Sequence, residues 1–120
     1  MLDAHDVEEL RPRVAEAAQL MQMMAQPVRL ELLCKLMEGE TSVLALANAV
    51  HLSQPAASHH LKRLRDAGLV ETRRDAQTIY YALKGTEVTE VMGVLHRLYC
   101  ADDSKTSEGT DGVMRKVLDV

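Results

Sequence analysis

The two cysteines, Cys34 and Cys100, are the residues of this chain best suited to covalent chemistry. A thiolate is a nucleophile, a metal ligand and a partner for a second thiol. Their separation of 66 positions matches neither a CxxC redox motif nor a zinc finger. In a reducing compartment such a pair is expected to be reduced. Because cysteine is also a common small core residue, type and spacing leave packing and chemistry both open.

Metal binding is a second possible chemistry, because four of the five histidines lie within the predicted domain, but they are scattered along the chain: His51, His59, His60 and His96. Neighbouring residues on a helix point about 100° apart, so His59 and His60 would chelate one ion poorly. A zinc site needs about four ligands close together. We therefore predict no metal site and no cofactor, and metal sensing stays a less favoured alternative.

Catalytic residue patterns are missing from the sequence as well, since no Ser/His/Asp set or carboxylate pair stands at catalytic spacing. We predict that the chain is not an enzyme and has no catalytic residues. Two other classes, a winged-helix module that binds proteins and a small thiol redox enzyme, stay open at this level.

Residues 54–65 combine an apolar side with a polar and basic side. At about 100° per residue, Ala57, Leu61 and Leu64 fall together on a helix, and Ser58, His59, Lys62 and Arg63 fall opposite them. Gln54 stands at the helix start, where side chains first reach base edges. Glutamine, serine and histidine can bond base edges, whereas lysine and arginine more often contact phosphate.

Basic charge is concentrated in this part of an otherwise acidic chain. The formal net charge is −4, yet residues 59–74 hold five basic residues against two acidic ones. Two of the five, Arg73 and Arg74, lie in a predicted hairpin that could grip the DNA backbone or a minor groove. We predict that DNA is contacted by a set drawn from both segments: Ser53, Gln54, Ser58, His59, Lys62, Arg63, Arg73, Arg74 and Gln77.

The elements needed to position these residues follow from periodicity. Apolar spacing predicts two helices, the first beginning near Pro12 and the second ending near Gly39. Ser42 and Ser53 are candidate N-caps for two further helices joined by His51-Leu52-Ser53. Two strands, 69–74 and 78–83, precede a last helix. The order helix-helix-helix-helix-strand-strand-helix is mainly α with a small β-hairpin wing, a winged helix-turn-helix.

Length and composition indicate one domain whose core has almost no aromatic rings, since the 120 residues contain no Trp, no Phe and only three Tyr. We divide the chain into an acidic N-terminal extension (1–11), a DNA-binding and dimerisation domain (12–101) and a flexible C-terminal tail (102–120). The acidic N-terminus is unlike a secretory leader, and no apolar run approaches the ~18 residues of a membrane span. We therefore expect a cytoplasmic location and no membrane partner.

The segment LSQPAASHHLKRLRDAGLV, residues 52–70, resembles the recognition segment of the ArsR/SmtB family of transcriptional regulators. The likeness extends over roughly residues 12–100. It implies a homodimer whose first and last helices form the interface. It also implies repression of genes by binding double-stranded operator DNA, relieved by an inducer.

Within that family, three stretches resemble the subgroup of SqrR, BigR, HlyU and YgaV: residues 32–40, 71–78 and 95–100. The resemblance implies that Cys34 and Cys100 are sensor thiols for persulfide or other reactive sulfur species. Joining them by a disulfide or polysulfide bridge would then lower operator affinity. Some members of the subgroup instead activate genes by displacing a silencer, which is the alternative.

Overall fold

A computed structural model describes residues 2–100, and the predicted C-terminal tail, 102–120, lies outside them. The described chain is mainly helical with one small antiparallel sheet, which confirms the predicted winged helix-turn-helix fold. None of the helices between residues 2 and 100 is long and apolar enough to cross a membrane. The elements are α1 (Ala4–Leu10), a 3-10 turn (Arg11–Arg13), α2 (Val14–Met24), α3 (Pro27–Leu36), β1 (Thr41–Ser42), α4 (Val43–Ala49), α5 (Gln54–Asp66), β2 (Val70–Asp75), β3 (Thr78–Leu83) and α6 (Thr86–Tyr99).

Two elements go beyond the predicted order. The acidic N-terminal extension contains α1, which is begun by a capping box in which Asp3 and Asp6 each accept the other's backbone N–H. The wing is a three-stranded sheet of order β1-β3-β2, because Thr41 and Ser42 pair with Tyr81 and Tyr80. A two-residue strand is too short to show the alternation by which strands are recognised in a sequence.

Aliphatic side chains from most elements share one core. The core includes side chains with no solvent exposure from α3, α4 and α5: Leu32, Leu33, Leu46, Leu61 and Leu64. The sheet contributes Val70 and Tyr81, and α6 contributes Val88 and Met92. At about 25 cal/mol per Å² of apolar surface buried, this core is the main stabilising term of the fold.

The turn between α4 and α5 is set by local hydrogen bonds at both helix ends. The Ser42 and Ser53 hydroxyls accept the backbone N–H groups of Ala45 and Ala56 at 3.1 and 3.2 Å, so both predicted N-caps are confirmed. At the end of α4, the N–H of Leu52 donates to the Ala47 carbonyl at 3.0 Å. This wrapped C-terminus holds His51 in the left-handed region, at φ 58°.

The turn from α5 into β2 has the same hydrogen-bond pattern, but the residue in the left-handed region is a glycine. Gly68 has φ 85°, and the following N–H, of Leu69, donates to the Leu64 carbonyl at 3.0 Å. A Cβ at Gly68 would meet no atom within 4 Å. The only penalty for a side chain there is therefore the backbone conformation.

Gly68→Ala should destabilise the protein, whereas His51→Gly should not. The first places a Cβ in the left-handed region and should lower the free energy of unfolding by about 1 kcal/mol. The second removes one from that region and should leave this energy unchanged or raise it by up to ~1 kcal/mol. Urea denaturation followed by circular dichroism measures both. A destabilised His51→Gly protein would show that the His51 side chain makes stabilising contacts.

Candidate DNA interface and thiol pair

The outward face of α5 carries most of the residues predicted to contact DNA. Ala57, Leu61 and Leu64 are fully buried, which turns Gln54, His59, Lys62 and Arg63 to solvent. Ser58 is half-buried beside them. Ser53 is exposed, and its hydroxyl oxygen caps the helix while its proton stays available to a phosphate acceptor.

The two adjacent histidines have different surroundings, as expected for neighbours on a helix. His59 is exposed, whereas His60 is half-buried and its Nδ1 has no hydrogen-bond partner within residues 2–100. Burial, with further contributions from Arg29, His59 and Arg63, holds the pKa of His60 below its usual value. A neutral ring edge-on to His59, with centroids 5.9 Å apart, therefore faces the protein. Of the two, His59 is the one directed toward a ligand outside.

Three of the predicted DNA contacts are cations available for phosphate. Lys62 and Arg63 on α5 and Arg74 on β2 are exposed, and none of them forms a salt bridge with another residue between 2 and 100. Gln77 is exposed in the two-residue turn at the tip of the wing. Exposed polar and basic side chains are thus present on both α5 and the wing.

Arg73 differs from its neighbour because its charge already has a partner. Its Nε and Nη2 donate to the Glu40 carboxylate at 3.0 and 2.8 Å, and its guanidinium lies 4.6 Å from the centre of the Tyr80 ring. The bond to Arg73 lowers the pKa of Glu40, and the same bond raises the pKa of Arg73. Glu40 was not predicted from the sequence, because nothing local marks a partner 33 positions away.

The two cysteines lie on different elements of the fold but close enough for their charges to interact. Cys34 is half-buried on α3, packed against the core, and Cys100 is buried at the C-terminal end of α6. Burial raises the pKa of Cys34 to about 11, with further increases from the charges of Cys100 and Glu31. The contribution of Cys100 means that the two sulfur atoms lie within reach of each other's charge.

The histidines are not gathered into one metal site by the fold. Residues 2–100 contain no group of three or more His, Cys, Asp or Glu side chains placed to hold a metal ion.

Apolar side chains remain exposed on the helices near both ends of the domain. Val94, Leu98 and Tyr99 are exposed on α6, with Leu98 at 67%. On α2, Val14 and Met21 are exposed, Met21 also at 67%. Exposed apolar side chains that form a contiguous patch often mark a surface that binds another protein.

Known proteins match both the sequence and the fold. The family described as bacterial regulatory protein, arsR family, matches residues 26–72. The chain is 45% identical to the transcriptional activator HlyU of Vibrio cholerae over 95 residues, which cover 79% of this chain and 88% of that protein. It is 37% identical to the biofilm growth-associated repressor of Xylella fastidiosa over 98 residues, covering 82% and 86%.

Solved structures agree with these relatives. Reduced HlyU from Vibrio cholerae superposes with a TM-score of 0.73 at 46% identity, covering 78% of this chain and 98% of that one. A homodimeric winged helix-turn-helix DNA-binding domain from Mycobacterium bovis gives 0.68 at 30% identity, covering 78% and 84%. With the recognition helix, the wing and these relatives together, the chain belongs to the ArsR family and is a transcriptional regulator.

Proposed function

We propose that this regulator represses genes by binding operator DNA as a homodimer, and releases the DNA when persulfide or another reactive sulfur species joins Cys34 to Cys100. The observation that carries the proposal is the charge interaction between two thiols 66 positions apart, one on α3 and one at the C-terminal end of α6 of a DNA-binding fold. Its cellular setting would be the cytoplasm, where DNA and reduced thiols are found together.

DNA binding by α5 and the wing is supported by their shape and charge. A helix fits the major groove of B-DNA, and Gln54, Ser58 and His59 stand where base edges would be read. Lys62, Arg63 and Arg74 would hold phosphates, together with Ser53 and Gln77. Phosphate contacts position a protein on the duplex, whereas the base contacts choose the sequence.

A second copy of the chain is the proposed occupant of the exposed apolar faces of α2 and α6. Two copies that bury Met21 and Leu98 would remove these side chains from water. The Mycobacterium bovis relative is described as homodimeric. A two-fold dimer also sets two recognition helices about 34 Å apart, one turn of DNA, so that both can enter major grooves.

The proposed sensing reaction balances with persulfide as the oxidant. A thiolate of one cysteine attacks the outer sulfur of a persulfide RSSH, the S–S bond breaks, and RS⁻ leaves, which forms a protein persulfide. The thiolate of the second cysteine attacks the inner sulfur and expels HS⁻, leaving a disulfide. Two thiols and RSSH thereby become the disulfide, RSH and hydrogen sulfide. If both cysteines are first converted to persulfides, their condensation leaves a trisulfide and releases hydrogen sulfide.

The raised pKa of Cys34 limits which oxidants can react at this site. With a pKa of about 11, only roughly one Cys34 in ten thousand is a thiolate at neutral pH. Burial, together with the charges of Cys100 and Glu31, thus keeps Cys34 protonated in the resting protein. So small a thiolate fraction slows attack on every electrophile by the same factor, so only the most reactive electrophiles, such as persulfide sulfur, would modify the site within a useful time. A bridge lengthened by extra sulfur also relaxes the roughly 7 Å Cα limit of a direct disulfide.

The bridge would affect DNA binding through α3 and α6. α3 packs in the same core as α5, and α6 carries part of the proposed dimer surface. Tying the C-terminal ends of these two helices together shifts the dimer surface relative to the recognition helices. Because both recognition helices of the dimer must match successive grooves, a small change in their separation lowers affinity.

Activation by displacement of a silencer is a second candidate, favoured by one observation. HlyU, 45% identical to this chain, is named a transcriptional activator, whereas the Xylella fastidiosa relative is named a repressor. Both modes use the same DNA contacts. Transcription from the bound promoter in a purified system separates them, because a repressor lowers it without any other DNA-binding protein present.

Removing a phosphate-binding side chain from α5 should weaken DNA binding and its salt dependence together. For Lys62→Ala and Arg63→Ala, the slope of log affinity against log salt should fall by about 0.9 for each phosphate no longer neutralised. Lys84→Ala is the control, because Lys84 follows β3 at the end far from the wing tip. Fluorescence anisotropy would use a duplex recovered by the wild-type protein from a random-sequence library. An equal fall in the Lys84 variant would refute the assigned interface.

Replacing either sensor thiol should abolish the response to persulfide. We expect glutathione persulfide to lower the affinity of the wild-type protein for this duplex, and dithiothreitol to restore it. Reduced Cys34→Ser and Cys100→Ser proteins should bind like the wild type and keep that affinity after treatment. Intact mass spectrometry distinguishes the products, since a disulfide loses two hydrogens and a trisulfide also gains one sulfur. A full response in either variant would rule out the two-thiol mechanism.

Alkylation of Cys34 should depend steeply on pH. Because its pKa is raised to about 11, the rate with iodoacetamide should rise close to tenfold per pH unit between about pH 7 and 10, without a plateau. Glu31→Gln removes a negative charge beside the thiol and should speed the reaction at a given pH. Peptide mass spectrometry follows Cys34 alone. A plateau below about pH 9 would contradict the proposed environment.

A further inference from the structure

We propose that Arg73 positions the wing by binding Glu40 and does not contact DNA, and that Arg74 is the wing cation that binds phosphate. This separates two neighbouring arginines that the sequence treats alike. The assignment of Arg74 rests on the proposed DNA binding, whereas restraint of the wing by Arg73 can be tested without DNA.

The bond between Arg73 and Glu40 spans the full width of the sheet. Strand order is β1-β3-β2, Arg73 on β2 is paired with Tyr80 on β3, and Tyr80 is paired with Ser42 on β1. Glu40 lies just before β1. The Arg73 side chain therefore crosses the central strand, with its guanidinium near the Tyr80 ring, and reaches the far edge. It ties the hairpin to the segment between α3 and β1.

A DNA phosphate could bind Arg73 only by displacing the Glu40 carboxylate. Two parallel N–H···O bonds of 3.0 and 2.8 Å to one carboxylate form the bidentate pair that arginine makes most strongly. Moving Arg73 to DNA would break both bonds and the interaction with Tyr80. It would also leave the negative charge of Glu40, 39% exposed, without its cation beside a polyanion.

Arg74 lies on the other face of the hairpin, because side chains alternate along a strand. That face is shared with Val70 and Thr72 and, across the pair, with the buried Tyr81. Since Val70 and Tyr81 pack in the core that includes Leu61, this is the side of the sheet on which α5 lies. Arg74 and the recognition helix can therefore address one DNA duplex together.

The outer part of the wing needs this restraint because few other contacts hold it against the rest of the domain. From Arg73 to the tip, the β2 side chains are exposed. On β3, Ile79 packs against the core, but a two-stranded ribbon by itself is only marginally stable. Contacts at its tip require a fixed angle to α5, because recognition tolerates only small misplacement. The bond to Glu40 supplies this restraint where the core ends.

The first test measures DNA affinity and salt slope in a set of variants on the library-selected duplex. If Arg73 acts through Glu40, Glu40→Gln and Arg73→Gln should each weaken binding about three- to tenfold. The charge-swapped pair Glu40→Arg with Arg73→Glu should recover most of this affinity, because the bond is rebuilt in reverse. Arg74→Gln should lower the salt slope by about one, as expected when one phosphate is no longer neutralised.

Glu71→Gln is the matched control for the negative charge removed at position 40. Glu71 is exposed on β2 and lies on the same face as Arg73, two positions away. Removing its charge should leave DNA binding unchanged or slightly tighter. The proposal is overturned if Glu40→Gln tightens binding as Glu71→Gln does while Arg73→Gln lowers the salt slope by about one. It is equally overturned if the swapped pair binds no better than Arg73→Gln alone.

The second test uses the DNA-free protein and separates this proposal from the question of DNA binding. Amide hydrogen exchange in β2 and β3 should become faster in Glu40→Gln and in Arg73→Gln, but not in Arg74→Gln. Exchange in α3 and α5 should stay unchanged, which shows that the domain remains folded. Equal exchange in the wild type and all three variants would show that Arg73 restrains nothing. Failure of the wild type to bind any duplex would instead refute the proposed function.

Discussion

Burial of one face of α5 is the constraint on which the proposed DNA interface depends. Ala57, Leu61 and Leu64 have no exposed surface, so the helix cannot rotate about its axis without moving leucines into water. Each leucine resists this by about 1.5–3 kcal/mol. The polar residues on the opposite side are therefore displayed in one fixed order. The core thus determines which side chains can meet DNA.

α3 connects this interface to the thiols. Its leucines lie in the core beside those of α5, while Cys34 interacts electrostatically with Cys100 at the end of α6. At its other end, Arg29 donates to the Met23 carbonyl at 2.7 Å and so fixes the corner between α2 and α3. One short helix thereby packs beside α2 and α5 and carries one of the two thiols. A bridge between thiols at its C-terminal end would act on an element that already links these parts.

The electrostatics of the described residues divide groups that bind inside the protein from groups left for a ligand. Arg73 forms an ion pair with Glu40, and Cys34 is kept protonated by burial and nearby negative charge. Lys62, Arg63 and Arg74 form no salt bridge within residues 2–100. A protein of net charge −4 can therefore present a basic surface to DNA. The position of each charge matters more than the total.

Local patterns alone determined the helix-turn-helix, its two serine caps, the hairpin and the outward face of α5, because helix period, capping and turn chemistry act over a few residues. The tertiary structure decided what depends on distant partners. The strand Thr41–Ser42 exists only because β3 lies beside it, and Arg73 differs from Arg74 only because Glu40 lies across the sheet. Likewise, resemblance to a family suggested the cysteine pair, but the raised pKa of Cys34 follows from burial and from the charge of a residue far along the chain. Burial and long-range charge arise only when the chain folds, so sequence spacing carries no measure of them.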